Sequence, residues 1–113
     1  MSQRGFTLVE VLVVIAIIGV LAAIAIRQFQ SYKMLAFDRR AEIDLRNTAI
    51  AEEAYFLEAD RYITCTESDC PGVLPGLTQL SEGVQLQMTG TDTGFTGSAS
   101  HPRGSGRVFT WPF

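Results

Sequence analysis

From Val11 to Ile26 every position is apolar or Gly, and the run reaches back to Phe6 with only Thr7 and Glu10 as polar members. As a helix, residues 6–26 would rise about 31 Å at about 1.5 Å per residue. That matches a hydrocarbon core of roughly 30 Å. Beyond Ile26 the pattern changes without stopping. Ala25, Phe29, Tyr32, Ala36, Ile43, Ile50, Ala54 and Leu57 recur at steps of three, four or seven, the spacing of one helical face. Asp38, Arg40, Glu42, Asp44, Glu52 and Glu53 lie between them and are expected to face water or a partner. Glu42 and Arg46 stand four apart in the favourable order. No Pro occurs between Met1 and Cys70, and Gly19 is the only Gly there after Gly5. The pattern predicts one helix from Phe6 to about Asp60, apolar over 6–26 and amphipathic over 27–60. At roughly 80 Å, half of it needs lipid or other subunits around it. The stripe of the other half needs the C-terminal segment packed against it.

Around Asp60 the helical signal ends. Ile63 and Thr64 lead into "CTESDCPGVLPG", where Pro71, Gly72, Pro75 and Gly76 mark a turn-rich connector. "VQLQMT", from Val84 to Thr89, alternates as a half-buried strand does. A turn and a second strand follow around Phe95 to Ser100. "RVFTWPF" reads as a last strand, with Val108 and Thr110 on one face and Phe109 and Trp111 on the other. The expected architecture is α+β: a long N-terminal helix packed by a small antiparallel sheet of about three strands, formed by residues 61–113. Ile43, Ile50, Ala54 and Leu57 are expected to supply much of its burial.

Composition narrows the function. A net charge of −3 argues against a surface built to neutralise phosphates. Arg103, Arg107 and Trp111 offer at most a small basic-aromatic patch, so nucleic acid is not expected as a partner. Cys65 and Cys70 form a disulfide if the domain lies outside the cytoplasm and idle thiols if it does not. A metal site is poorly supported, because His101 is the only His and no second Cys pair exists. His101 sits in a Gly/Ser/Pro stretch and reads as surface loop. Ser98, Ser100 and Ser105 lack a base or oxyanion motif, Asp92 lacks neighbouring oxygens for calcium, and the glycines form no phosphate loop. Neither catalysis nor a cofactor is indicated.

Glu10 is the anomaly. A carboxylate at membrane depth costs about 2.5–3.5 kcal/mol on insertion scales, less near the interface, and such residues are usually paired or functional. The leader "MSQRG" carries one positive charge, Arg4, which by the positive-inside bias stays cytoplasmic while the rest is exported. Arg27, Lys33, Arg39 and Arg40 on the far side weaken that bias. A secretory signal would end in a small-residue cleavage site, but the apolar run continues into helical sequence.

"RGFTLVE", followed by an uninterrupted apolar helix, resembles the N-terminus of type IV pilins and their pseudopilin relatives. The likeness covers about the first half of the chain, and the stretch containing "DLRN" is similar to the long helix of small bacterial pilins. The resemblance implies that residues 1–5 are a leader, that a prepilin peptidase cuts between Gly5 and Phe6, and that the new Phe6 amine is methylated. That amine is the partner the resemblance supplies for Glu10. Within one chain the two lie about a turn apart; in a filament, Glu10 of one subunit meets Phe6 of its neighbour and sets the register. Leaving one member of a desolvated pair alone is strongly penalised, which makes the pair a register device.

The implied life cycle is a single-pass inner-membrane precursor with a periplasmic C-terminal domain. The pilus assembly machinery then builds it into an extracellular homopolymer serving adhesion, motility, DNA uptake or secretion. Many pilins have Pro where this chain has Arg27, so the helix here is expected to stay more regular. Phe6, Phe29, Tyr32, Phe37, Phe56 and Tyr62 resemble aromatics proposed to conduct electrons in short pilins; packing and membrane-edge roles account for them more simply. Two rival readings remain. A type II secretion pseudopilin is one, although the acidic calcium loop of the major pseudopilins is not found. A membrane anchor carrying a small binding domain is the other, and it predicts no cleavage after Gly5.

Overall fold

The computed structural model describes residues 5–113, so of the expected leader only Gly5 is covered. The elements in chain order are α1 (Leu8–Ala59), β1 (Cys65–Thr66), α2 (Cys70–Val73), β2 (Gln85–Gly90), β3 (Phe95–Ser100) and β4 (Phe109–Trp111). The fold is α+β, as the pattern predicts. Two compact units divide within α1, one ending at Tyr32 and the other beginning at Lys33.

In the first unit, every described residue is exposed. Its stretch of α1 has the length and composition to cross a membrane. Among the described residues, none covers the apolar run.

The second unit has a four-stranded antiparallel sheet in the order β1-β2-β3-β4. Strand β1, only two residues long, is the one that periodicity could not show, and α2 is a single turn inside the expected connector. Register puts one face of the sheet inward. Cys65 pairs with Met88, Met88 with Gly97 and Gly97 with Trp111, while Leu86 pairs with Ala99 and Ala99 with Phe109. Phe109 is buried and Trp111 half-buried, whereas Val108 and Thr110 are exposed. The alternation read from the sequence holds.

The helix presents a different face from the one expected. Ala41, Leu45, Thr48, Ala49 and Glu52 are buried, at helical spacing. Ile43, Ile50 and Leu57 are 54, 62 and 85 % exposed, and Ala54 is exposed too. A Cβ at Gly97 would collide with Met88 Sδ and press on Leu45 Cδ1, so the missing side chain there leaves room for both. Ile43 and Ile50 lie on the exposed side of the helix.

Candidate functional site

Leu8 is the first helical residue, and Thr7 just before it acts as the N-cap. The Thr7 backbone N–H donates to Glu10 Oε2 at 3.1 Å, and the Glu10 N–H donates to Thr7 Oγ1 at 3.2 Å. This reciprocal pair is a capping box, and the spacing Thr-Leu-Val-Glu was the signal for it. Glu10 therefore has a local partner that sequence reasoning missed. Gly5 and Phe6 lie outside the helix, with Phe6 88 % exposed and open space around Gly5. The Gly5–Phe6 bond is thus an exposed, non-helical peptide two residues before the first helical residue. Phe6, Glu10 and Val13 border one groove on this surface.

The acidic residues of the second unit are the larger correction. Asp38, Asp44 and Glu52, expected to face water or a partner, are buried inside the chain. Each binds a loop of the C-terminal half. Asp38 accepts from the Ser105 N–H at 3.0 Å and its hydroxyl at 2.6 Å. Asp44 accepts from the Ser81 N–H at 2.7 Å and its hydroxyl at 3.2 Å. Glu52 Oε2 accepts from the Ile63 N–H at 2.9 Å, while Glu52 Oε1 is buried without a partner. Hydrogen bonds to a charged acceptor are strong enough to bring these short acids inside. For Glu52 the match is incomplete: burial pushes its carboxyl above the ordinary value, the Ile63 N–H opposes the rise, and Glu53 adds to it.

His101 is buried, not a surface-loop residue. Its Nδ1 accepts from the Arg103 N–H at 3.0 Å, so Nε2 carries the proton and donates to the Glu82 carbonyl at 3.0 Å. The ring stacks on Phe37 with centroids 4.4 Å apart. Arg103 lies over Phe37 and Arg107 over Phe109, so each serves a different ring and neither stacks on Trp111. Phe56, Tyr62, Phe95, Trp111 and Phe113 form a row with successive centroids 4.7, 4.8, 6.3 and 5.2 Å apart. Tyr62 packs on Phe95 of β3, and Phe56 reaches that strand only through Tyr62.

Cys65 and Cys70 are joined by a disulfide, with Cα atoms 5.2 Å apart. Glu42 does pair with Arg46, at 3.8 Å, and more closely with Arg39, at 2.8 Å.

The family described as the prokaryotic N-terminal methylation motif matches residues 1–26. The chain is 44 % identical over 60 residues to the type IV major pilin protein PilA of Myxococcus xanthus, covering 53 % of this chain and 27 % of that protein. It is 41 % identical over 63 residues to a fimbrial protein of Pseudomonas aeruginosa, covering 56 % and 41 %. With the type IV major alpha-pilin of Moraxella bovis it shares 38 % identity over 77 residues, covering 68 % and 48 %. The chain thus spans less than half the length of these relatives.

Proposed function

We propose that this chain, whose N-terminal half is type IV pilin sequence, is a structural subunit of a type IV pilus and not an enzyme. The observation that carries the reading is the methylation motif over residues 1–26, together with a membrane-length apolar stretch of α1 that is wholly exposed. Such a surface is stable only in lipid or against other helices. In this reading the helix anchors the precursor in the inner membrane with the second unit on the periplasmic side. A prepilin peptidase cuts Gly5–Phe6 and the Phe6 amine is methylated. The assembly machinery then transfers the helix from lipid into an extracellular bundle of copies, which serves adhesion, motility, DNA uptake or secretion. Glu10, freed of lipid, takes the Phe6 amine of a neighbour as its counter-charge.

Mass spectrometry of the protein from native filaments should find a chain starting at methylated Phe6. A terminus at Met1 or Ser2, with no filaments, would support the simple anchor instead. The capping box sharpens the test of Glu10. Glu10→Gln keeps a side chain that can close the box but removes the charge. It should leave the protein in the membrane and strongly reduce filaments; normal filaments would reject the register pairing.

A further inference from the structure

Two arginines from distant segments meet at one ring in the second unit. Arg40, on α1, has its Cζ 5.2 Å from the Phe37 centroid, and Arg103, between β3 and β4, has its Cζ at 5.9 Å. Both border a cavity of about 240 Å³ that Phe37, His101, Pro102 and Glu82 also line. Among the described residues, neither guanidinium meets a carboxylate or donates a hydrogen bond. Arg39 and Arg46, on the same helix, share Glu42. Glu82 borders the cavity yet stays beyond ion-pair distance of Arg40 and Arg103. Like charges brought to one ring repel each other, and an anion bound between them turns that repulsion into attraction.

The loop that presents Arg103 is held from several sides. Buried His101 stacks on Phe37, accepts from the Arg103 N–H through Nδ1 and donates from Nε2 to the Glu82 carbonyl. The Gly104 N–H donates to the His101 carbonyl at 3.0 Å, and Asp38 takes both the N–H and the hydroxyl of Ser105. This backbone is set before any ligand arrives, which lowers the cost of binding one. We propose that the cavity binds the phosphoryl group of a small phosphomonoester through Arg40 and Arg103. Guanidinium groups grip phosphate oxygens with paired hydrogen bonds. A phosphomonoester carries about 1.5 to 2 negative charges at pH 7, which suits two unpaired cations better than a single carboxylate does. The cavity is smaller than the roughly 300–1,000 Å³ of drug-sized sites, so the ligand is small, and Phe37 and Pro102 give its organic part an apolar wall. Glu82 at the border and a net charge of −3 oppose a run of phosphates, which favours one phosphoryl group over a nucleic acid.

Calorimetric titration of the full chain, in a non-ionic detergent and a phosphate-free buffer, tests the site. Glucose 6-phosphate should bind saturably at one site per chain, inorganic phosphate more weakly at the same site, and glucose not at all. Arg40→Ala and Arg103→Ala should each weaken binding about tenfold or more, with the circular dichroism spectrum unchanged. Arg46→Ala, outside the cavity, should leave the affinity as it was. No saturable binding of either phosphate probe overturns the proposal. So does an equal loss in Arg46→Ala, which would mark a diffuse attraction to positive charge. Inorganic phosphate binding as tightly as the ester removes the organic part and makes the ligand the free ion. A single-stranded oligonucleotide that binds more tightly than the ester, and is lost in Arg40→Ala, replaces the phosphomonoester with a nucleic acid. None of these outcomes bears on the pilus reading, because the site uses no part of the N-terminal segment.

Discussion

The two units of this molecule use apolar and polar side chains in opposite ways. Up to Ile26 the helix is apolar but for Glu10, and through Tyr32 all of it is exposed. In the second unit carboxylates enter the interior while Ile43, Ile50 and Leu57 stay outside. Carboxylates here hold loops to the helix, and of its large aliphatic residues in this unit Leu45 is buried while Ile43, Ile50 and Leu57 are left exposed. An exposed Leu alone says little about function. A helix that exposes several large apolar residues and buries three acids is the contrast on which the proposed assembly rests.

Substitutions can break that division, beginning with the largest effect. Leu45 is fully buried under Met88 and Gly97. Leu45→Ala should therefore cost about 2–5 kcal/mol, read as a lower denaturant midpoint of the detergent-solubilised chain. An undiminished midpoint would mean the sheet does not pack on this face. Asp44→Ala removes both hydrogen bonds to Ser81 and leaves a part-buried N–H unpaired. A loss of about 1–3 kcal/mol is expected, with faster amide exchange at Ser81.

Glu52 supplies a pH dependence with a definite sign. Because burial raises its carboxyl above the ordinary 4.5, the folded chain holds the proton at pH values where the unfolded chain has released it. Stability is then greatest below about 4.5 and falls as the pH rises through the folded-state value. Glu52→Gln should abolish this part of the pH profile, while its carbonyl can still accept from Ile63 N–H. A profile that keeps its slope would place the titration elsewhere. The smallest effect should come from Ile50→Ser, within about 0.5 kcal/mol for the monomer, although filament yield should drop.

Much of the architecture was legible. The helix end at Ala59, β3 from Phe95 and the two faces of β4 followed from alternation and from where Gly and Pro stand. The face of α1 was not. Periodicity ranks residues by apolar type, and Ile43, Ile50 and Leu57 outrank Ala41, Thr48 and Ala49. Which stripe a sheet covers depends also on the side chains it meets there, and Met88 and Gly97, which lie beside Leu45, belong to a different segment. Asp38, Asp44 and Glu52 were misread for a related reason. Their partners, Ser105, Ser81 and Ile63, are loop N–H groups 67, 37 and 11 positions away, with no local signature. His101 hid in the same way, satisfied by the backbone of Glu82 and Arg103. At the N-terminus the motif was readable, because all its parts fall within a few consecutive residues.

The Thr7–Glu10 box has one further consequence. Both residues that close it, Thr7 and Glu10, lie beyond the Gly5–Phe6 peptide. Nucleating a first turn is the costly step of helix formation, and this box ties that turn. Excision of the leader, under the proposed maturation, takes away neither half of the clasp, so the mature chain inherits it whole.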